Sequence, residues 1–312
     1  MRSLIKRFLY ATGVARFFHR IYNRRVLTVV MFHRVLSPKD PRALGANPTY
    51  TVMADEFAAC LTFFARWYSV VDLTAVQQAA KGGALPPCPL LITFDDGWQD
   101  NAAYALPALA ERGMPAVLFV ATGYVGATSG FWQECVFDAA KRAGASDVEA
   151  DARVAAAAGL SADHRAALLE CLPDPGLPRQ MADAEELTRL EAAGVAIGGH
   201  GHSHTPLTDV PDAGAELAIC RSELAAAGWG RDTPALSFPH GRATPELVRL
   251  AWEKGFGLCF TSEPCLTPLA QLTDARGIGR VSVELRHLRR RGGFDLPALA
   301  FSLLTRPHRA GA

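Results

Sequence analysis

The chain has no excess of charge of either sign, with 32 Lys+Arg against 31 Asp+Glu in 312 residues. That balance argues against a whole-protein electrostatic grip on nucleic acid, so no nucleic-acid partner is expected. No apolar run reaches the ~18 residues that a transmembrane helix needs. No two of Cys60, Cys88, Cys135, Cys171, Cys220, Cys259 and Cys265 are spaced as C-x-x-C, and their number is odd. Neither a zinc–thiolate knuckle nor a disulfide framework is therefore expected. Such thiols suit a reducing compartment, which makes the expected location cytoplasmic. Collagen-like periodicity and internal repeats are also lacking. What is present is 49% hydrophobic and 20% charged residues, enough for a sizeable core and incompatible with global disorder.

One local lack stands out. Residues 1–25 contain no acid, but they contain Arg2, Lys6, Arg7, Arg16, Arg20, Arg24 and Arg25. At roughly 100° per residue, Leu4, Phe8, Ala15, Phe18 and Tyr22 fall on one stripe, with Arg2, Lys6, Arg16, Arg20 and Arg24 roughly opposite. The pattern predicts a basic amphipathic helix as a separate N-terminal segment. Two readings stand: an element on an anionic membrane surface, peripheral on the inner membrane, or a helix packed on the body with a solvated basic face. A secretory signal is a third reading, but the apolar run Phe8–Ala15 is short and is followed at once by Arg16.

From residue 26 onward, strands and helices alternate. Residues 26–32, 68–73, 89–94, 115–120, 195–199, 235–238, 258–261 and 278–283 read as strands, several of them continuously apolar. Residues 55–67, 101–113, 183–194, 212–227 and 244–255 read as helices; Asp183 with Glu186 makes a capping box, and Thr244-Pro245 an N-cap and first-turn pair. Residues 36–50 read as a loop. The Ala-rich stretch 127–180, punctuated by Pro173, Pro175 and Pro178, reads as a helical insertion or lid, and residues 286–312 as a basic tail. Alternation with one core implies a parallel α/β sheet, and seven or eight units favour a barrel over a doubly wound sheet. His33, Asp95, Asp96, His200, His204 and His240 all follow strand ends, the face that carries chemistry in such barrels.

Asp95 and Asp96 end an apolar strand, where carboxylates are costly unless paired or bound to a metal. Adjacent positions point to different sides, so the two can have different partners. The plain alternative is a helix cap plus a surface Asp. His200 and His204, four apart, share a face whether the segment is helical or extended. With Asp96 they would make a two-imidazole, one-carboxylate site. That donor set suits Zn2+ and, less selectively, Co2+, Fe2+ or Mn2+. His202, between them, is either a neighbour of the site or exposed.

Thr93-Phe94-Asp95-Asp96-Gly97 resembles the first motif of the polysaccharide deacetylases, the NodB-homology group or carbohydrate esterase family 4. Gly199-His200-Gly201-His202-Ser203-His204, followed by Leu207, resembles the second motif, with Gly201 where the family usually has Ser or Thr. Phe238-Pro239-His240-Gly241 resembles the third, and His33-Arg34-Val35 and Phe131-Trp132 resemble a bacterial subgroup. The resemblance spans roughly residues 26–285. It implies a distorted (β/α)7-type barrel and metal-dependent removal of an N- or O-acetyl group from a sugar in surface polysaccharide or glycolipid metabolism, with an acetylated glycan or glycolipid as the substrate partner. It assigns Asp95 as catalytic base, Asp96, His200 and His204 as ligands of a divalent metal, and the backbone N–H of His240 as an oxyanion donor. Two departures matter. Ser237 stands where the family has the Arg that pairs with the base, and Arg34 or Arg280 could replace it from another strand end. The late motif that supplies a general-acid His is not recognisable: His287 lies in the right third of the chain but in an exposed-looking basic stretch, leaving His33 and His240 as other candidates. A hydrolase of a non-sugar amide or formamide, and an inactive glycan-binding homologue, are the alternatives. Retention of Asp95 beside all three ligands speaks against the second.

Overall fold

The computed structural model describes residues 2–230, 234–274, 276–283, 288–290 and 293–309. Among the described residues, the central sheet has nine strands. Seven of them run around the barrel: β1 (Val26–Phe32), β2 (Pro89–Phe94), β3 (Ala116–Val120), β4 (Val195–Gly199), β5 (Leu236–Ser237), β6 (Cys259–Phe260) and β7 (Val281–Ser282). The other two are short: Ser69–Val70 pairs in parallel with β2, and Thr267–Pro268 pairs antiparallel with the start of β1. Neighbours pair in parallel from β1 through to β6. A parallel bridge joins Phe260 in β6 to Ile278, and β7, three residues further on, pairs in parallel with β1 at Val30 and Met31. The sheet thus curls back on its first strand, giving the distorted parallel α/β barrel that the alternating pattern implies. The last three strands are two residues each, shorter than their sequence signals.

Both faces of the sheet are buried, and alternation assigns the residues to them. Leu27, Val29, Leu91, Val117, Phe119 and Phe260 pack in one cluster. Val30, Phe32, Leu90, Ile92, Phe94 and Leu118 belong to another, beneath the helices. Thr93 and Asp95 share the parity of Leu91, so they continue the inner row towards the barrel mouth. Around the sheet lie α3 (Ala54–Trp67), α4 (Leu73–Ala80), α5 (Leu106–Glu111), α9 (Ala184–Ala192), α10 (Ala213–Ala226) and α11 (Pro245–Glu253). The capping box at Asp183 and the cap at Thr244 form as their sequences predict. Helix α4 is additional; its eight residues are too few and too Ala/Gln-rich to show a clear period.

Three expectations are corrected. The helix expected over 101–113 opens with a π turn, Asn101–Ala105. Just before it, Asp100 is pinned by Arg34 Nε at 2.8 Å and the Val35 N–H at 3.0 Å. Residues 286–312 are not simply a basic tail, because Leu296–Leu304 forms helix α12, capped by Asp295, with Leu299, Ala300 and Leu303 buried. Its strongly apolar sequence packs against the body instead of remaining in water. The N-terminal segment is two helices, α1 (Arg2–Ala11) and α2 (Val14–Tyr22), broken at Gly13, whose φ of 79° a glycine adopts without strain.

The insertion over 127–180 is helical, with α6 (Trp132–Arg142), α7 (Asp147–Ala158) and α8 (Ala162–Glu170). It leans on the loop that follows β1. Arg142 donates to the Pro41 carbonyl at 2.9 Å, and Gly45 lies so close to Asp138 that a Cβ would overlap its carboxylate. The insertion and this loop together wall one side of the barrel mouth.

Close packing inside the barrel depends on the glycines ending β4. A Cβ on Gly198 would lie 2.7 Å from Phe119 Cδ1 and 2.8 Å from the Ala235 carbonyl oxygen. Gly198→Ala is expected to lower stability by about 1–3 kcal/mol, the usual effect of overpacking. A urea unfolding curve with an unchanged midpoint would contradict this packing.

Candidate active site

Asp95 and Asp96 leave β2 in opposite directions. Asp96 takes φ 82° and Gly97 φ 90°, a tight reversal that sends one carboxylate into the barrel and the other towards the β4 loop. Asp95 meets Arg280, which is wholly buried. The guanidinium grips the carboxylate with both arms, Nη1 to Oδ1 and Nη2 to Oδ2, each at 2.7 Å. Its remaining donors reach the Thr261 carbonyl, Thr93 Oγ1 and Ser237 Oγ. Burial alone would push the Asp95 carboxyl up, but the Arg280 charge and its hydrogen bonds hold it below the usual carboxylate range. Ser237, whose hydroxyl also donates to Asp95 at 3.2 Å, occupies the position where the motif has arginine. Arg34, the other candidate, does not reach Asp95. It pairs with Asp100 and lies over the Trp98 ring at 4.2 Å.

Asp96, His200 and His204 converge. Their nearest ligand atoms lie within 4.8 Å of one another. Asp96 Oδ1 is 3.5 Å from His200 Nε2 and 3.2 Å from His204 Nε2. The other oxygen, Oδ2, accepts the indole N–H of Trp98 at 2.8 Å, so only Oδ1 faces the imidazoles. His200 Nδ1 lies 2.9 Å from the Ser237 carbonyl oxygen, which can only accept. The neutral ring therefore carries its proton on Nδ1 and presents a bare lone pair at Nε2. Burial drives the His200 pKa down to about 4, which keeps that ring neutral at pH 7. A carboxylate oxygen and a lone pair facing each other inside the protein is the arrangement a divalent cation relieves, and the two-imidazole, one-carboxylate set fits zinc.

The supporting residues carry strain. Among the described residues, Asp96, His204 and His240 are three of the four non-glycines with positive φ. Phe131 stacks on His204 with 3.7 Å between ring centroids, and the His240 ring lies 4.9 Å from that of His204. Burial brings the His240 pKa down to about 4. His33, at the end of β1, meets Tyr50 edge-on with ring centroids 5.0 Å apart and is close enough for its charge to lower the pKa of both Asp95 and Asp96. His202 turns away to Glu223, 2.9 Å from Nδ1, and is no part of the cluster. His287 lies outside the described residues.

Two supports were not read from the sequence. Trp98 orients Asp96; its position two residues beyond the Asp pair is the only local signal. Glu216, on α10, accepts from the N–H groups of His202 and Ser203 and so braces the His200–His204 loop, although nothing near it in sequence marks that role. Gly201 is explained by its φ of 71° and by Pro239, whose Cγ would be 3.2 Å from an added Cβ.

Two outcomes follow. Arg280→Ala leaves Asp95 buried and unpaired and is expected to cost about 3–5 kcal/mol in urea unfolding, the usual effect of breaking a buried pair; a loss under about 1 kcal/mol would contradict the contact. In metal-free protein, His200 titrates near 4 when folded and near 6.5 when unfolded, so the unfolded chain binds more protons between those values. Stability should therefore fall as pH drops from 6.5 towards 4, and His200→Asn should flatten that decline in pH-dependent thermal melts.

The sequence profile of the polysaccharide deacetylase family matches residues 83–258, more than half of the chain. That span contains Asp95, Asp96, His200, His204 and His240, whereas His33 and Arg280 come from outside it. A search of curated proteins finds no relative by sequence. Solved structures with the same fold include IcaB from Ammonifex degensii, at 21% identity and TM-score 0.61, covering 90% of this chain and 98% of that one. The deacetylase PplD of Streptococcus pyogenes, in complex with acetate, is similar at 16% identity and TM-score 0.60, covering 85% and 95%. A third, BC0361 of Bacillus cereus, described as a polysaccharide deacetylase, gives 14% and 0.58, covering 90% and 69%. These structures agree in fold, and the profile match settles the family: the chain belongs to the polysaccharide deacetylases.

Proposed function

We propose that the protein is a metal-dependent deacetylase that hydrolyses an N-acetyl or O-acetyl group on a bacterial surface polysaccharide or glycolipid. The observation that carries this reading is a buried, ionised carboxylate, Asp95, locked by Arg280 beside the Asp96–His200–His204 cluster. A divalent cation held by that cluster, most simply Zn2+, would supply Lewis-acid polarisation of the acetyl carbonyl and acidify water.

The chain's own groups do the rest. Asp95, kept ionised by Arg280, accepts the proton of the attacking water. Arg280 is a positioning residue, since all its donors are committed to protein atoms. The backbone N–H of His240 is the proposed oxyanion donor, preorganised on a strained turn. His33 is the proposed acid that returns a proton to the leaving amine or alcohol. Its closeness to both carboxylates supports that role, and His240, neutral at pH 7, is the weaker candidate. All seven cysteines are free, which is consistent with the proposed reducing, cytoplasmic location.

The test is acetate release from a panel of N- and O-acetylated glycans by chelator-treated protein, before and after reloading with Zn2+ or Co2+. No acetate from any glycan, with formate released from formamides instead, would replace the sugar reading. Asp95→Asn preserves shape but cannot accept the proton, so kcat should fall by ~10²–10⁴ with metal content retained. Activity within about threefold of the parent is too small a change for a lost general base and would remove Asp95 from that role.

A further inference from the structure

Helix α2 is inside out. The residues it buries are Ala15 and His19, one small and one polar. Its large apolar residues, Val14, Phe17, Phe18, Ile21 and Tyr22, recur at helical spacing and face outward, with Phe17 63% and Tyr22 67% exposed. Helix α1 adds Leu4 at 72% and Phe8 at 65%. A helix recruited only to complete the core would turn such a stripe inward. Contiguous apolar surface of this kind marks a place of contact with something else.

The hairpin is nonetheless fixed to the body. Tyr10 stacks on Trp67 with ring centroids 5.4 Å apart, Lys6 lies over Phe301, and Arg7 pairs with Asp295 at 3.3 Å. The stripe is therefore displayed in a defined orientation. Beside it lies a cleft of about 400 Å³ between the hairpin and α12, with Leu9, Phe18, Phe301 and Leu304 on its apolar wall and Arg306 and His308 on its polar one.

Charge narrows the choice of partner. The segment carries seven cations and no acid. Lys6, Arg20, Arg24 and Arg25 are exposed, and Arg20 and Arg66 crowd Arg16 closely enough to disfavour its charge further, after burial has already done so. A second copy of the same surface would bring these cations together. An apolar stripe flanked by unneutralised cations matches an interface that is apolar beneath and anionic above.

We propose that the α1–α2 hairpin docks the protein on an anionic phospholipid bilayer. Phe17, Phe18 and Ile21 enter the acyl boundary, Arg20 and Arg24 meet the head groups, and the cleft beside α12 accepts a lipid chain. Helix α2 leads into the N-terminal end of β1, whereas the Asp96–His200–His204 cluster stands beyond the C-terminal strand ends, about 23 Å further along a seven-residue strand. Docking in this way leaves the barrel mouth open to its substrate. The inference is independent of the deacetylase reading.

The experiment is co-sedimentation of the full chain with vesicles of equal parts phosphatidylglycerol and phosphatidylcholine, compared with phosphatidylcholine alone. The parent should bind the anionic vesicles at least tenfold more strongly, and raised salt should weaken the binding. The triple variant Phe17→Ser, Phe18→Ser, Ile21→Ser and the double variant Arg20→Gln, Arg24→Gln should each lose binding by about tenfold or more. Far-ultraviolet circular dichroism and urea midpoints should stay close to those of the parent, because Phe17, Phe18, Arg20, Ile21 and Arg24 are exposed. Parent protein that stays in solution with anionic vesicles, or a triple variant that binds as the parent does, overturns the proposal. So does a dimer that the triple variant dissociates while vesicles go unbound, which would assign the stripe to a second copy.

Discussion

The contact between Asp95 and Arg280 does two jobs with one set of atoms. Arg280 precedes β7, the strand that returns to β1, and Asp95 ends β2 on the far side of β1. Their bidentate pairing ties the two flanks of the first strand together near the barrel mouth. It also fixes the position and charge of the carboxylate proposed as base. Burying two charges is tolerable only when every donor and acceptor is satisfied. Here the guanidinium reaches Asp95, Thr93, Ser237 and the Thr261 carbonyl. The small Ser237 side chain joins this network, accepting from Arg280 and donating to Asp95.

Around that contact, the site is held by long-range braces. Arg34 and Asp100 support Trp98, and Trp98 orients Asp96. Phe131, at the root of the helical insertion, presses on His204, and Glu216 holds the loop between the two imidazoles. The backbone in left-handed conformations at Asp96, His204 and His240 is costly, and such strain persists only where surrounding structure enforces it. The braces supply that enforcement and hold the donor atoms of Asp96, His200 and His204 together.

The N-terminal hairpin follows a different logic. It is anchored by aromatic stacking and one ion pair while its apolar stripe remains in water. Within the barrel, apolar residues are covered on both faces of the sheet. The same side-chain types thus serve as core in one part of the chain and as outward surface in another.

Local pattern by itself determined much of this protein. The continuous apolar runs of β1, β2 and β3 marked strands buried on both faces, and their alternation with helices gave the barrel. Asp95, Asp96, His200 and His204 stood out because polar residues after such strands need a reason. Tertiary structure decided the rest. Whether Arg34 or Arg280 pairs with Asp95 could not be read from a chain in which Arg280 is 185 residues away from its partner. Glu216 and Trp98 carry no pattern that announces their partners. Residues 296–304 looked like part of a tail because their helix is stabilised by packing against α1 and α3, contacts that depend on the whole fold. The amphipathic N-terminus was legible as a pattern, but the break at Gly13 and the outward turn of its apolar face were settled by how Ala15, His19 and Tyr10 fit the body. Periodicity along a sequence reports which residues share a face; only the packed structure decides what that face meets.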